Sequence, residues 1–308
     1  MNKKEIQGHL CGAVTIVIWG TTFISTKLLL KSFSPVEILI FRFVIGFCAL
    51  WLVDPHRLSV RDRRQELYFA AAGFCGITLY YLLENVALTY TSASVVGVII
   101  SIAPFFTAAG AHLFLKGERL HAGFFTGFTA ALAGVCLISF DGWTVQHLNP
   151  LGSLLAVSAA VVWALYSIIT KKISTFGYTT IRTTRRTFFY GLIFLVPVSC
   201  FFGLHPDWKA LSRPVNICNI LFLGLGASAL CFVTWNTAVR LLGAVRTSMY
   251  IYLVPVITVG MSALILGERI TPAVGLGMVL TLGGLCISEQ TASGGKIHKK
   301  RIQNDSIR

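Results

Sequence analysis

The sequence predicts an all-α integral membrane protein in which ten transmembrane helices form two inverted five-helix repeats. Three observations predict this fold. The composition is apolar, ten apolar stretches long enough to span a bilayer follow one another, and landmark residues recur at nearly constant offsets in the two halves.

The composition excludes a soluble globular domain. Apolar residues make up 55% of the 308 residues, charged residues only 12%, and the mean hydropathy is +0.74. Soluble domains carry about 25% charged residues. Most of the surface of this chain is therefore expected to face lipid.

Each apolar stretch is about as long as a helix that crosses a hydrocarbon core. Spans in lipid must satisfy their own backbone hydrogen bonds, so these segments are predicted to be helices rather than open strands. The predicted spans are 8–30, 35–53, 66–88, 94–115, 120–140, 151–171, 179–203, 217–239, 246–266 and 271–289.

The distribution of basic residues predicts the orientation. Seventeen lysines and arginines fall in the N-terminus, in alternate connections and in the C-terminal tail, whereas the other connections carry four. Basic connections stay on the cytoplasmic side, so we expect a multi-pass protein of the cell membrane with both termini in the cytoplasm. This bias explains the net charge of +14 without a nucleic-acid partner. The tail at 290–308 is expected to be disordered, and either to remain solvated or to contact membrane lipid.

Landmark residues show the duplication. Trp19 and Lys27 recur 144 residues later as Trp163 and Lys171. The halves are predicted at 1–140 and 151–289, joined by an outer connection at 141–150. Because each half holds an odd number of helices, the second must be inverted relative to the first. Further matching pairs are Arg42 and Arg186, Asn85 and Asn236, Pro104 and Pro255, and the Gly-Glu-Arg trios at 117–119 and 267–269, which predict tight turns.

Several segments carry a family resemblance. They are the WGTTFISTK stretch at 19–27, YYLLENVALTYTSASVVGVIISIAPFFTA at 80–108, GSLLAVSAAVVWALYSIITKK at 152–172 and the paired Gly-Glu-Arg trios. Together they resemble the EamA family of the drug/metabolite transporter superfamily over essentially the whole chain. The resemblance implies ten helices, inverted symmetry and alternating-access movement of a small metabolite, often export, without ATP.

Motifs of other protein classes are missing from the sequence. It contains no GxxxxGK[ST] phosphate loop, no HExxH and no GxSxG, and its cysteines and histidines lack the spacing of a zinc site. We therefore expect no enzyme activity, no cofactor and no metal. The oligomeric state stays open between monomer and dimer, but the seven-residue spacing of Gly127 with Gly134 and of Gly277 with Gly284 predicts a close helix contact, taken as intramolecular.

Charged residues at membrane depth are costly and need a reason to be there. Arg42 and Arg186 could bind carboxylate or phosphate groups of a substrate, or could form internal ion pairs or snorkelled anchors. Glu84 is the one acid predicted well inside the hydrophobic slab. It is a candidate proton carrier, and the alternative is a structural pair with Arg42.

Aromatic and amide side chains complete the candidate substrate cavity, although each could instead belong to an interfacial belt or a helix contact. Pro104 and Pro255 are predicted inside the fourth and ninth helices, as hinges or as static kinks. Their missing N–H groups free the carbonyls of Ile100 and Ile251, which can line a polar cavity. The remaining candidate cavity residues are Trp19, Tyr80, Tyr81, Asn85, Trp163, Tyr166, Trp235, Asn236 and Tyr250.

These features favour a secondary transporter, expected to export small organic metabolites such as amino acids or drug-like compounds. Within the same class, the two arginines also fit a sugar-nucleotide or organic-phosphate exchanger. A membrane-embedded enzyme or a receptor is the alternative of a different class.

Overall fold

The computed structural model is a bundle of helices. It describes residues 2–91, 93–115, 122–140, 149–205, 207–266, 272, 275–284 and 287. Predictions for the tail at 290–308, for both Gly-Glu-Arg turns and for most of the connection at 141–150 concern residues outside this set. All regular elements of the described residues are helical.

The main helices of the described part are α1 (Lys3–Leu29), α2 (Pro35–Val53), α3 (Arg64–Tyr90), α4 (Ala93–Ile100), α5 (Ala103–Phe114), α6 (Ala122–Phe140), α7 (Pro150–Ser174), α8 (Thr180–Phe202), α9 (Pro214–Leu242), α10 (Ala244–Ser248), α11 (Leu253–Leu266) and α12 (Gly275–Gly284). Six of these, α1, α2, α3, α7, α8 and α9, are long and apolar enough to cross a membrane. They match six predicted spans to within about five residues, whereas the full set of ten remains a prediction.

Local capping explains where two of the long helices begin. At the start of α2, the Ser34 N–H donates to Glu37 Oε2 at 2.8 Å, and the Glu37 N–H donates to Ser34 Oγ at 3.3 Å. At the start of α7, Asn149 Oδ1 accepts from the Leu151 N–H at 2.9 Å. Both helices open with a proline, whose missing N–H is not needed in the first turn.

The fourth and ninth predicted spans are not continuous helices, which corrects the sequence prediction. The fourth is divided into α4 and α5, and Pro104 lies in the first turn of α5. The ninth is divided into α10, the 3-10 turn Met249–Tyr252 and α11, with Pro255 in the first turn of α11. Proline is accommodated at the start of a helix and disrupts its interior, so the helix in each of these two segments is interrupted just before its proline.

Two of the long helices also contain a π-helical segment, which the sequence analysis did not anticipate. It covers Phe74–Leu79 in α3 and Phe222–Leu230 in α9, at equivalent places in the two halves. A Cβ atom on Gly76 would lie 2.2 Å from the Tyr166 ring. Glycine at this position therefore permits the close approach of α3 and α7.

Helix packing follows one pattern twice. α1 packs along the C-terminal part of α9, and α7 packs along the C-terminal part of α3. Likewise, α2 packs on the π segment of α9, while α8 packs on α3. In each half, therefore, the first and second helices contact the third helix of the other half.

Two lysines at equivalent positions of the repeats also connect the two halves. Lys27 Nζ on α1 donates to the carbonyl oxygens of Leu88 at 2.6 Å and Thr91 at 3.2 Å, at the end of α3. Lys171 Nζ on α7 donates to those of Val239 and Arg240 at 3.4 Å, at the end of α9. Cations at helix C-termini satisfy exposed carbonyls and complement the helix dipole.

The predicted glycine contact is confirmed, and it lies within one chain between α6 and α12. A Cβ atom on Gly134 would lie 2.5 Å from the Gly277 oxygen and 2.6 Å from the Thr281 nitrogen. One on Gly284 would lie 2.5 Å from the Gly127 oxygen. These helices touch through their backbones, so neither glycine leaves room for a side chain.

A single methyl group tests this contact. We expect Gly134→Ala to lower the free energy of unfolding by about 1–3 kcal/mol, since the backbones must separate to admit it. Thermal unfolding of the detergent-purified protein measures the change. Gly97→Ala is the matched control, because the space beside Gly97 is open. Equal stability of the two variants would contradict the contact.

Candidate functional site

The bundle encloses a small cavity between the two halves of the chain, here called the central cavity. Its walls come from α1, α3 and α4 of the first half and from α7, the 3-10 turn and α11 of the second. The lining residues are Trp19, Thr22, Phe23, Tyr80, Tyr81, Glu84, Ile100, Trp163, Ile251 and Val254. At about 30 Å³ the cavity has room for roughly two water molecules, so its walls must move apart to admit an organic ligand.

Both interrupted segments reach this cavity. Ile100 ends α4, and Ile251 lies in the 3-10 turn. Because Pro104 and Pro255 have no N–H group, the carbonyls of these isoleucines receive no helical hydrogen bond from four residues onward. Irregular backbone at membrane depth is tolerated where it is buried in protein or lines a cavity. The two breaks thus lie at the wall of the central cavity.

Aromatic rings surround the cavity. The Trp19 and Trp163 rings are 5.1 Å apart, and the Tyr80 ring lies 4.8 Å from the rings of both Tyr81 and Trp163. The Trp235 ring lies 5.1 Å from that of Trp19 and 5.7 Å from that of Trp163, without lining the cavity itself. The structure therefore brings the predicted residues Trp19, Tyr81 and Trp163 to the cavity wall and places Trp235 behind it.

Buried indole groups in this cluster carry unused hydrogen-bond donors. The Nε1 atoms of Trp163 and Trp235 have no acceptor in the described part of the chain. By contrast, Trp19 Nε1 donates to the Ala227 oxygen at 3.0 Å. An unpaired buried donor costs about 1–3 kcal/mol. Trp163 lines the central cavity, and its unpaired N–H is itself buried.

Glu84 is the only charged residue among the described residues that line the central cavity. Its residue surface is 4% exposed, and the Tyr80 hydroxyl interacts with its carboxylate. Tyr80 and Tyr81 precede Glu84 by four and three residues, so all three share one face of α3. In the described chain, no arginine or lysine nitrogen lies within 4.0 Å of this carboxylate.

Arg42 is buried on the far side of Tyr81. It is 1% exposed, its Nε donates to Ser228 Oγ at 3.0 Å, and its guanidinium carbon lies 4.2 Å from the centre of the Tyr81 ring. Its Nη2 has no acceptor within the described residues. The direct ion pair with Glu84 that the sequence suggested is not formed. The guanidinium instead stacks against the Tyr81 ring.

The predicted amide residues connect helices rather than lining the central cavity. Asn236 Oδ1 accepts from the Tyr166 hydroxyl at 2.8 Å, and its Nδ2 donates to Thr184 Oγ1 at 2.9 Å. Asn85 Nδ2 donates to the Pro35 oxygen at 3.2 Å. Such bonds between helices stabilise membrane bundles.

A second, polar cleft lies at the C-terminal end of α7. It is lined by Thr170, Ile173, Ser174, Tyr178, Thr180, Thr183, Thr187, Asn236 and Arg240. Asn236 thus lines this cleft while bonded to Tyr166, whose ring lies 5.0 Å from that of Trp163 at the central cavity. The Trp163–Tyr166–Asn236 chain therefore lies between the two spaces.

The structure does not bring Arg186 or Tyr250 to the central cavity. Arg186 donates to the Glu66 carboxylate through Nε at 3.0 Å and Nη2 at 2.6 Å, and the Tyr190 hydroxyl donates to the same group at 2.8 Å. Tyr250 pairs with His9, its hydroxyl 2.5 Å from Nδ1. The internal ion pair considered for Arg186 from the sequence is therefore formed, with Glu66.

The loop after α2 is held to α8 by further charges. Arg182 Nε donates to Asp54 Oδ2 at 2.7 Å, and Arg185 donates to the carbonyl oxygens of Asp54 and His56. The hydrogen bonds from Arg182 and His56 hold the pKa of the Asp54 carboxyl well below its usual range. With the Arg186–Glu66 pair, these contacts form a latch between the first and second halves.

Sequence reasoning missed Thr22, Phe23 and Val254 as lining residues. Thr22 and Phe23 follow Trp19 by three and four residues, so helical spacing places them on its face and could have found them. Val254 is an ordinary apolar residue in an apolar segment, and nothing in its sequence context distinguishes it.

The balance of charge between Arg42 and Glu84 can be measured by a double-mutant cycle. Arg42→Met leaves the buried Glu84 carboxylate uncompensated. We therefore expect this substitution to lower the stability of the wild type more than it lowers the stability of the Glu84→Gln variant. We expect a coupling energy of about 0.5–3 kcal/mol from unfolding of the purified protein. Glu66→Gln serves as the control, since Glu66 is bound by Arg186 and its effect should add to that of Arg42→Met. Additive effects of Arg42→Met and Glu84→Gln would show that the two charges do not interact.

Comparison with known proteins places this bundle in a family. The sequence model of the EamA-like transporter family matches residues 6–140 and again residues 150–289. A solved crystal structure superposes with a TM-score of 0.74 over 92% of this chain and 98% of its own, at 19% identity, which shows a shared fold.

Several relatives align with nearly the whole chain. It is 27% identical over 297 residues to an uncharacterized transporter of Archaeoglobus fulgidus, covering 94% of this chain and 98% of the relative. It is 28% identical to a probable amino-acid metabolite efflux pump of Escherichia coli, covering 94% and 95%. A probable terminal-alkyne amino-acid exporter of Streptantibioticus cattleyicolor is 26% identical, with 91% and 93% covered. The chain is a multi-pass membrane transporter that belongs to the EamA-like transporter family, in the drug/metabolite transporter group.

Proposed function

We propose that this transporter exports small organic metabolites, including compounds of amino-acid type, by alternating access without ATP. The observation that carries the proposal is the central cavity, enclosed between the two halves, lined by both broken segments and holding a carboxylate without an ion-pair partner in the described chain. Substrate sites of secondary transporters commonly lie near the midplane where discontinuous helices of the two repeats meet.

The proposed architecture has ten transmembrane helices in two inverted repeats at 1–140 and 151–289. It has a multi-pass topology in the cell membrane with both termini in the cytoplasm. The first and second helices of each half pack on the third helix of the other half, which supports inversion. The family model matches the chain twice, which supports duplication. The bias in basic residues supports the orientation.

Two relatives, a probable amino-acid exporter and a probable amino-acid metabolite efflux pump, support export of metabolites of amino-acid type. The alternative of a sugar-nucleotide or organic-phosphate exchanger is less favoured, because no described lining residue of the central cavity is basic. Arg186, one of the two arginines that suggested phosphate, is bound to Glu66. The family and the relatives' names favour a transporter over an enzyme or a receptor.

Alternating access requires the closed cavity to open, and we assign the movement to the two breaks before Pro104 and Pro255. Each break leaves backbone carbonyls free of helical hydrogen bonds, so a change in angle there disrupts fewer bonds than in a continuous helix. The latch formed by Arg182, Asp54, Arg186 and Glu66 would release when the cavity opens toward that end of the bundle.

Glu84 is the proposed carrier if protons drive transport, because it is the cavity's buried carboxylate. The test is uptake of radiolabelled amino acids and amines into inside-out proteoliposomes, with and without a pH gradient. We expect wild-type transport to respond to the gradient and Glu84→Gln transport not to respond.

Asp207→Asn is the matched control, since it neutralises an exposed carboxylate outside both the cavity and the latch and should retain the response. Unchanged proton dependence in Glu84→Gln would remove Glu84 from coupling. Absence of any transport by the wild type would refute the proposed function.

A further inference from the structure

We propose that the central cavity recognises the ammonium group of organic amines, with Glu84 as its counter-ion and the surrounding aromatic rings as its cage. The inference rests on the proposed function and gives it a substrate class: compounds that join a protonated amine to an apolar or aromatic body.

The first observation behind this proposal is the charge of the residues that line the central cavity. Glu84 contributes a carboxylate, and none of the other nine described lining residues carries a charge. A desolvated carboxylate without a bound cation is costly, and a ligand that supplies the cation is bound correspondingly tightly. The same carboxylate repels the carboxylate or phosphate of an anionic ligand.

Arg42 does not reverse this preference. Arg42 is 1% exposed and is absent from the cavity wall, and its guanidinium carbon lies 4.2 Å from the centre of the Tyr81 ring. Its Nε donates to Ser228 Oγ. The charged group that a guest in the cavity meets is therefore the Glu84 carboxylate.

The rings provide the second part of the site. Tyr80, Tyr81, Trp19 and Trp163 all line the cavity, and consecutive rings lie 4.8–5.1 Å apart. Aromatic faces attract cations, by up to about 2 kcal/mol or more each when water is excluded, and aromatic cages are a common means of holding ammonium groups. Phe23 and Val254 offer apolar contact to the rest of the ligand.

A backbone acceptor is the third part of the site. Ile100 and Ile251 line the cavity, and their carbonyls lack the helical hydrogen bond that Pro104 and Pro255 cannot donate. The Leu253 N–H donates to the Ile251 carbonyl, so the acceptor assigned to the ligand is the Ile100 carbonyl. A primary ammonium carries three N–H donors, of which the carboxylate uses only part, and this carbonyl would accept from another.

The test compares four ligands with one phenyl-ethyl body and different charge: phenethylamine (cation), phenylalanine (zwitterion), 3-phenylpropionate (anion) and 2-phenylethanol (neutral). Binding to purified full-length protein in detergent is measured by calorimetry and by thermal shift at pH 7. We expect phenethylamine to bind about tenfold or more tightly than each of the other three. Equal or tighter binding of any of the other three, or no binding of the amine, would overturn the inference.

Variants then assign the preference to Glu84. Glu84→Gln should reduce phenethylamine affinity about tenfold or more and leave 2-phenylethanol affinity unchanged, whereas Glu84→Asp, which keeps the charge, should recover part of the loss. Asp207→Asn removes an exposed carboxylate outside both the cavity and the latch, and it should have no effect. Unchanged amine affinity in folded Glu84→Gln would overturn the inference, and the wild-type ligand series decides the matter even if that variant does not fold.

Transport in proteoliposomes separates this inference from the proposed function. Amine binding without transport of any compound would refute the exporter and leave the ammonium site standing. Transport of anionic or neutral metabolites, together with no amine binding, would leave the exporter standing and refute the ammonium site.

Discussion

Hydrocarbon supplies no hydrogen-bonding partner, so polar groups of this chain at membrane depth must be paired by the protein or must face an internal cavity. Lys27 and Lys171 show the first solution, because each satisfies carbonyls at the end of a neighbouring helix. Glu84, the Trp163 indole and the breaks before Pro104 and Pro255 show the second, because all meet at the central cavity. Among the buried polar atoms without a partner in the described chain, the Trp163 Nε1 atom belongs to a residue of the cavity wall, whereas the Trp235 and Arg42 atoms lie behind it.

The two halves are alike in their framework and different in their chemistry. The π segments, the broken helices and the capping lysines occur at equivalent positions, so they belong to the common five-helix plan. Glu84 has Trp235 as its repeat counterpart, and only the former lines the cavity. Arg42 is stacked on Tyr81, whereas its counterpart Arg186 is bound by Glu66. Duplication therefore explains the scaffold, and divergence at a few positions explains the site.

The sequence was informative wherever a physical rule acts along the chain. Span length and hydropathy located the six long helices, and the cost of a charge at membrane depth singled out Glu84. Contacts between distant segments were out of reach: nothing local to Arg186 indicates that Glu66 reaches it, or that Tyr250 pairs with His9. Pro104 and Pro255 were predicted inside helices, as hinges or static kinks, because a proline disrupts a regular helix but does not say where the preceding helix ends.

The central claim is that the cavity between the halves is the substrate site and opens alternately to the two sides of the membrane. Thr22 lines it, so Thr22→Cys in a background without the eight native cysteines reports its accessibility. A membrane-impermeant thiol reagent would be applied to right-side-out and to inside-out vesicles, with and without phenethylamine. Modification from both sides, slowed by the amine, is the expected result. Modification from one side only, or at a rate that the amine leaves unchanged, would contradict the claim.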